Sequence, residues 1–134
     1  KIDGENTLVL NGDSIYKFDL AEFATFFQTH SPFAIALRKV KDASRYGKVD
    51  IDTNNRIISF AEKTDSPEPG IINSGIYLFN MPTFNSIQFP DKFSIETDFF
   101  QQNTQNMEIY GFKSMGYFID IGVPEDYYKA HNEL

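Results

Sequence analysis

The chain has 134 residues, of which 41% are hydrophobic and 23% are charged, a composition typical of one ordinary folded domain. Nineteen acidic against twelve basic residues give a formal net charge of −7, and a surface this acidic repels nucleic acid. The chain has no Cys and only two His, which excludes disulfide frameworks, thiol nucleophiles and Cys-based zinc sites.

The first elements in chain order are a strand, a helix and a second strand. Thr7–Leu10 is a short apolar run, typical of a strand buried on both faces. Asp19, followed three residues later by Glu22, predicts the start of an amphipathic helix that runs to Thr29. Phe33–Val40 is apolar enough for another strand.

The middle of the chain predicts a hairpin and one long strand. Lys48–Asp52 and Arg56–Ala61 flank a three-residue loop of hairpin length. The Pro-rich segment Asp65–Gly70 predicts an exposed loop. Ile71–Asn80 predicts a strand, and Ser74-Gly75 inside it indicates a bulge or a close approach of the backbone.

The last part of the chain predicts two helices and two short strands. Ser94 suits the N-cap of a helix that runs to about Gln105. Ile109–Phe112 and Tyr117–Ile121 are strand candidates, and Pro124 suits the first turn of a terminal helix. Strands that alternate with helices and also form a hairpin predict one α/β layered domain, residues 1–134, with a mixed sheet.

Two aspartates lie at the ends of predicted strands. Asp13 closes Asn11-Gly12-Asp13 after the first strand, where ligands bind in open α/β sheets, although these three residues also suit an ordinary turn. Asp120 lies in an otherwise apolar strand, where an unpaired buried charge would be very unfavourable. It therefore has a cation or hydrogen-bond donors as partners, or it faces water at the end of the strand or caps the helix that begins at Pro124.

Two further acidic patterns leave alternatives open. Glu62 and Lys63 close a predicted strand, either as ligand-binding residues at a bend or as a solvated strand end. Asp50 and Asp52 form an Asp-x-Asp pattern, which holds metal in many glycosyltransferases, but they lead into a hairpin loop where exposed charges are expected. The chain has neither Gly-x-Gly-x-x-Gly nor the Walker pattern.

Six segments follow one another in an order more specific than any one of them. They are Leu8–Asp13 (LVLNGD), Ser44–Val49 (SRYGKV), Ile57–Lys63 (IISFAEK), Ile72–Tyr77 (INSGIY), Phe93–Glu96 (FSIE) and Tyr117–Tyr127 (YFIDIGVPEDY). Together they resemble the sugar-1-phosphate nucleotidyltransferases, among them the mannose- and heptose-1-phosphate guanylyltransferases. The resemblance covers nearly the whole chain and implies a Rossmann-like, glycosyltransferase-A-like fold.

The resemblance also implies an activity and a site. A nucleotidyl group would pass from a nucleoside triphosphate, GTP for the guanylyltransferases, to a heptose or mannose 1-phosphate, as in the nucleotide-sugar biosynthesis that serves lipopolysaccharide or capsule. Asp13 and Asp120 would hold Mg²⁺, which accepts hard oxygen ligands, and Lys63 would neutralise the sugar phosphate as a third catalytic residue. Substrate contacts are implied for Asn11, Gly12, Tyr46, Gly47, Glu62, Lys63, Asn73 and Gly75.

One departure from the family concerns its N-terminal glycine-rich loop, Gly-x-Gly-Thr-Arg-Leu with a later Pro-Lys, which has no counterpart in the 134 residues. We therefore expect the chain to be the C-terminal, sugar-phosphate-binding portion of an N-terminally incomplete domain, inactive by itself. The alternatives are a metal-dependent glycosyltransferase that uses Asp50 and Asp52, and a non-catalytic sugar-phosphate-binding or regulatory module. The nucleotide base, the sugar and the oligomeric state stay open, and a homo-oligomer is compatible with the sequence.

The expected location is the cytoplasm. No apolar run in the sequence approaches the ~18 residues of a membrane span, and no signal peptide opens the chain. With the acidic charge, this predicts a protein whose partners are small molecules, with neither membrane nor nucleic acid among them.

Overall fold

A four-stranded mixed sheet lies at the centre of the computed structural model, which describes residues 5–61 and 63–134. The strands are β1 (Asn6–Leu10), β2 (Ser14–Tyr16), β3 (Phe33–Val40), β4 (Val49–Ile51), β5 (Ile57–Phe60), β6 (Gly70–Asn80), β7 (Ile109–Ser114) and β8 (Phe118–Asp120). The helices are α1 (Leu20–Thr29), α2 (Met81–Asn85), α3 (Gln101–Asn103), which continues a π-helix over Ile95–Phe100, and α4 (Pro124–Glu133).

The central sheet has the strand order β1-β6-β3-β7. β6 is antiparallel to both β1 and β3, whereas β7 is parallel to β3, so the predicted mixed sheet is confirmed. Two antiparallel ribbons, β2 with β8 and β4 with β5, accompany it. The ribbons carry the loops that form the site described below.

Strand β3 separates two layers of core because successive side chains of a strand point to opposite faces. Phe33, Ile35 and Leu37 are fully buried in a large aromatic and aliphatic cluster. Ala34 and Ala36 are fully buried in the second cluster, which also contains Phe23 and Phe27 of α1. The small alanine side chains leave room for the two phenylalanine rings of the helix.

Most predicted elements are present close to their predicted bounds. The carboxylate of Asp19 accepts a hydrogen bond from the backbone N–H of Glu22 at 3.0 Å, which caps α1 as the sequence predicts. The hairpin forms, and Asn55 takes the left-handed conformation, with φ 65°, that its loop needs. Ser94 caps the helical segment that follows it by accepting a hydrogen bond from the N–H of Thr97.

Three predictions about the elements were wrong or incomplete. β1 is not buried on both faces: Leu8 and Leu10 are 37% and 60% exposed, because among the described residues β1 pairs only with β6. The helix after Ser94 begins as a π-helix and ends at Asn103, before Gln105. β2 and α2 were not predicted, because both are too short to show a hydrophobic period in the sequence.

Within residues 5–61 and 63–134, none of the helices is both long enough and apolar enough to span a membrane.

Candidate active site

A bulge in β6 shapes the floor of the site. Ile35 of β3 pairs with Tyr77 and Leu37 pairs with Asn73, so β6 has extra residues between these two pairs. Gly75, in the bulge, has φ 80°, a conformation that glycine adopts without strain. The buried Ser74 hydroxyl donates a hydrogen bond to the carbonyl of Ala36 at 2.6 Å. The bulge predicted at Ser74-Gly75 is therefore confirmed.

Gly75 also admits the side chain that follows β1. The backbone N–H of Asn11 donates to the carbonyl of Gly75 at 2.8 Å. A Cβ on Gly75 would lie 2.6 Å from Asn11 Nδ2 and 2.9 Å from Asn11 Cβ, so the Asn11 side chain would have to move away from its present position. Glycine at position 75 thus brings Asn11 against the bulge that carries Asn73.

The carboxylates of Asp13 and Asp120 come together although they are distant in the sequence. Asp13 directly precedes β2 and Asp120 ends β8, and these two strands pair with Ser14 opposite Asp120. A Cβ placed on Gly122 would lie 3.0 Å from Asp120 Oδ1 and 3.7 Å from Asp13 Oδ2. The distance between Asp120 Oδ1 and Asp13 Oδ2 is therefore at most the sum of these two distances.

Backbone hydrogen bonds hold the acidic pair in place. The N–H of Ile121 donates to the carbonyl of Asp13 at 2.8 Å. The N–H of Gly122 donates to Asp120 Oδ1, also at 2.8 Å. Asp13 is exposed and Asp120 is half-buried, so both carboxylates can be reached from solvent. Hard, accessible carboxylate oxygens close to one another suit Mg²⁺, which takes its remaining ligands from water or from phosphate.

The bulge, the acidic pair and the loop before β4 surround one crevice of about 230 Å³. Its lining residues are Asn11, Asp13, Ser14, Arg45, Tyr46, Lys63, Asn73, Gly75, Glu96, Phe118 and Asp120. The lining thus combines carboxylates with two cationic side chains and two amides. A site with this composition can both hold a divalent cation and neutralise the charge of a phosphate.

Seven of the residues predicted to form the site lie in this lining: Asn11, Asp13, Tyr46, Lys63, Asn73, Gly75 and Asp120. Gly12 and Gly47 do not. Gly47 has φ 76°, and a Cβ there would lie 2.8 Å from the carbonyl oxygen of Ala61. The backbone angle and the contact with the residue after β5 therefore explain why position 47 is a glycine. Glu62 lies outside the described residues. The substrate contacts of Gly12, Gly47 and Glu62 stay predictions.

Arg45 is a lining residue that the sequence analysis did not single out. Its Nη1 donates to Asp126 Oδ2 at 2.9 Å, and this hydrogen bond raises the pKa of Arg45. Its guanidinium lies over the ring of Tyr46, 5.5 Å from the centroid. The ion pair joins the loop before β4 to the first turn of α4. Arg45 was within reach of the sequence analysis, because it stands inside the SRYGKV segment.

Glu96 and Tyr77 are two further polar residues that the sequence analysis left unassigned. Glu96 lines the crevice, and Tyr77 is fully buried directly behind it. The hydroxyl of Tyr77 donates to Glu96 Oε1 and accepts from Asn73 Nδ2, each at 3.1 Å. Burial, and next the nearby carboxylate of Glu96, raise the pKa of Tyr77 well above its usual value. The hydroxyl therefore stays protonated.

The Asp-x-Asp pair lies elsewhere. Neither Asp50 nor Asp52 belongs to the crevice lining. Asp50 Oδ2 accepts a hydrogen bond from the hydroxyl of Ser59 across the hairpin at 2.7 Å. Asp52 Oδ1 accepts from the backbone N–H groups of Asn54 and Arg56 at 2.8 and 3.0 Å. Both carboxylates therefore stabilise the β4–β5 hairpin.

Comparisons with known proteins agree with this architecture. The nucleotidyl transferase family matches residues 1–134. The chain is 40% identical to D-glycero-alpha-D-manno-heptose 1-phosphate guanylyltransferase of Aneurinibacillus thermoaerophilus, over all of this chain and 58% of the relative. It is 29% identical to mannose-1-phosphate guanylyltransferase of Mycobacterium tuberculosis, over all of this chain and 38% of that protein.

A solved structure of similar fold is that of HddC from Yersinia pseudotuberculosis complexed with GMP-PN. It superposes with a TM-score of 0.83 at 36% identity, over 98% of this chain and 56% of HddC. The chain therefore spans between 38% and 58% of the length of these relatives.

Proposed function

Because the chain belongs to the nucleotidyl transferase family, we propose that it takes part in the transfer of a nucleotidyl group from GTP to a heptose or mannose 1-phosphate. In this reaction its crevice binds the sugar 1-phosphate. The products are the GDP-sugar and pyrophosphate. The similarity to a heptose 1-phosphate guanylyltransferase supports the acceptor, and the similarity to a structure complexed with GMP-PN supports the guanine nucleotide. The reaction belongs to cytoplasmic nucleotide-sugar biosynthesis.

In this proposal, Asp13 and Asp120 hold Mg²⁺. Their two carboxylates share one crevice, and an oxygen of each lies within 3.7 Å of the position of a Cβ on Gly122, so small side-chain rotations would bring both to one ion with ~2.1 Å ligand distances. No group of three or more His, Cys, Asp or Glu side chains that could hold a metal occurs in the described part of the chain. Water and phosphate oxygens would therefore complete the shell, and the ion would neutralise charge on the phosphates that react.

The chain's own cations act on the sugar phosphate. Lys63 and Arg45 line the crevice together with the acidic pair, and their positive charge favours the bound phosphate. Asn73 can both donate to and accept from a sugar hydroxyl. Glu62 is proposed to accept hydrogen bonds from further hydroxyls, as the family resemblance implies. The crevice therefore has separate groups for the phosphate and for the sugar ring.

The proposed reaction needs positioning more than acid–base chemistry. An oxygen of the sugar phosphate attacks the α-phosphorus in line and forms a new P–O bond, while the bond from the α-phosphorus to the bridging oxygen breaks and pyrophosphate leaves. The attacking oxygen is already ionised at neutral pH, so no side chain has to remove a proton. A crevice rich in fixed charge and without Cys suits this demand.

The convergence of Asp13, Asp120 and Lys63 in one crevice carries the proposal. The test measures pyrophosphate release from GTP and heptose or mannose 1-phosphate by two proteins. One is the 134-residue chain. The other, termed the completed protein, joins this chain to the part of the Aneurinibacillus relative that it does not span. We expect release by the completed protein in the presence of Mg²⁺, and none by the chain alone.

Turnover by the chain alone would contradict the expectation that the glycine-rich loop is essential. A completed protein that binds sugar 1-phosphate without turning over would overturn the enzymatic proposal. That outcome would instead support a non-catalytic sugar-phosphate-binding module.

A further inference from the structure

The floor of the crevice contains an Asn whose amide can adopt only one orientation. The backbone N–H of Gly75 lies 2.8 Å from one terminal atom of the Asn73 side chain. A backbone N–H can only donate, so that atom has to be the oxygen. The nitrogen of the same amide, Nδ2, therefore faces the hydroxyl of Tyr77 at 3.1 Å and donates to it.

The fixed amide of Asn73 also determines the direction of the hydrogen bond between Tyr77 and Glu96. Because the Tyr77 oxygen accepts from Asn73, the single hydroxyl proton is free to be donated to Glu96 Oε1, 3.1 Å away. The other carboxylate oxygen of Glu96 accepts from the hydroxyl of Ser94 at 3.3 Å. Tyr77 is fully buried, so water does not compete for its hydroxyl. The donors of the three hydrogen bonds from Gly75 through Asn73 and Tyr77 to Glu96 all point toward Glu96.

This arrangement leaves complementary groups for a ligand. Among the described residues, one N–H of Asn73 and several lone pairs of the Glu96 carboxylate have no hydrogen-bond partner. Both residues line the crevice, whereas the hydroxyl that connects them is buried behind it. A donor beside an acceptor matches two neighbouring hydroxyls of a sugar ring, one of which accepts while the other donates.

We propose that Tyr77 is a positioning residue that holds Asn73 and Glu96 as a donor–acceptor pair for sugar hydroxyls, and that this pair selects the sugar of the sugar 1-phosphate. The inference rests on the proposed function, because it assigns the sugar-recognising part of the same crevice. Tyr77 itself does not touch the ligand. It acts through the orientation of the two side chains that do.

The substitution Tyr77→Phe separates the hydroxyl from the ring. The ring of Tyr77 packs against Phe79 and Phe100, with centroids 5.9 and 5.2 Å away, and a Phe ring keeps both contacts. Tyr16→Phe is the matched control. Its buried hydroxyl donates to the carbonyl of Leu37 at 3.1 Å, and its ring lies in the other core cluster. Each variant thus loses one buried hydroxyl, but only Tyr77→Phe loses one behind the crevice.

The experiment titrates the 134-residue chain with α-D-mannose 1-phosphate and, separately, with inorganic phosphate, and follows amide resonances by NMR. We expect Tyr77→Phe to weaken mannose 1-phosphate binding about tenfold, since one oriented hydrogen-bond pair is lost. Phosphate binding should stay within about twofold. The side-chain NH₂ resonances of Asn73 should shift in Tyr77→Phe even without ligand. Tyr16→Phe should change neither affinity.

A double-mutant cycle with Asn73→Ala tests whether Tyr77 acts through its neighbours. We expect the effect of Tyr77→Phe on mannose 1-phosphate affinity to become much smaller once Asn73 is removed. Three outcomes would overturn the positioning role but leave the proposed function intact. They are an equal loss of mannose 1-phosphate affinity in both backgrounds, an equal loss of inorganic phosphate affinity, and Asn73 resonances that do not shift. If the wild-type chain bound mannose 1-phosphate no more tightly than inorganic phosphate, the sugar-binding site in the proposed function would be contradicted as well.

Discussion

Two pairs of aspartates in this chain differ in what surrounds their carboxylates. Asp50 and Asp52 are neighbours on one strand end, and their oxygens already accept hydrogen bonds from Ser59 and from two backbone N–H groups. Asp13 and Asp120 come from different strands and converge at Gly122. Within residues 5–61 and 63–134, a single backbone N–H donates to Asp120, and the Ser14 hydroxyl reaches Asp13 only at 3.4 Å.

The difference concerns which lone pairs remain for a ligand. A carboxylate that accepts strong hydrogen bonds from its own loop stabilises that loop and has less capacity for a metal. Two carboxylates that face each other with few donors repel, and they favour a cation between them. The adjacent pair is therefore structural, and the distant pair is the candidate for chemistry.

The largest expected effect comes from substituting the distant pair. In the completed protein, Asp13→Asn or Asp120→Asn should reduce pyrophosphate release by about 100-fold or more, because a neutral amide cannot replace a metal-binding carboxylate. The matched controls Asp50→Asn and Asp52→Asn should retain most of the activity, since an amide oxygen can still accept the hairpin hydrogen bonds. A loss confined to Asp50→Asn or Asp52→Asn would instead support the glycosyltransferase alternative.

The next prediction concerns the positive side of the crevice. Lys63→Ala in the completed protein should weaken the binding of sugar 1-phosphate by roughly 10- to 150-fold, because a charge-assisted contact contributes about 1.5–3 kcal/mol. The KM for GTP should change little. Lys48→Ala is the control, since Lys48 pairs with Glu68 at 3.0 Å and does not line the crevice. A change confined to the KM for GTP would contradict the assigned role.

Substitutions in the Asp50–Asp52 pair should reduce the stability of the fold more than substitutions in the Asp13–Asp120 pair, the reverse of their effects on activity. Asp52→Ala removes the acceptor of two backbone N–H groups, and we expect the free energy of unfolding to fall by about 1–2 kcal/mol. Asp13→Ala removes a charge that faces another carboxylate and should leave stability unchanged or slightly increased. Urea denaturation measures both. Equal destabilisation by the two substitutions would remove the distinction between structural and functional aspartates.

The smallest effect concerns a third structural aspartate, in the loop that carries Arg45. The hydroxyl and then the N–H of Ser44 donate to Asp42, and these hydrogen bonds lower the pKa of Asp42 below its ordinary value. A lowered pKa in the folded state stabilises the fold above the unfolded value of about 3.9. This contribution is lost as the pH falls through the folded pKa.

The variant Asp42→Ala should accordingly be less stable than the wild type at neutral pH. The difference between their urea midpoints should shrink as the pH falls below about 4, where the carboxylate of the unfolded chain becomes protonated, and vanish below the lowered pKa of the folded state. A difference that stayed constant from neutral pH to about pH 2 would show that the charge of Asp42 does not contribute.

The sequence by itself determined the local features and the family. Asp19 begins α1 because its side chain caps the first turn, a contact within four residues of chain. Gly75 marks the bulge because glycine adopts its positive φ without strain. The order of the six segments indicated the sugar-1-phosphate nucleotidyltransferases, and this resemblance is confirmed by the family match over residues 1–134 and by the similarity to guanylyltransferases.

Only the tertiary structure decided which polar groups meet. The pairing of β2 with β8 brings Asp13 to Asp120, and β2 is too short to show any period in the sequence. The apolar run of β1 predicted burial on both faces, but burial depends on the neighbours of a strand, and Leu10 is 60% exposed. Tyr77 connects Asn73 with Glu96 only because the bulge and the π-helix pack together. Hydrophobic periods and caps act within a few residues, whereas the contacts between distant strands and loops that build this crevice form only when the chain folds.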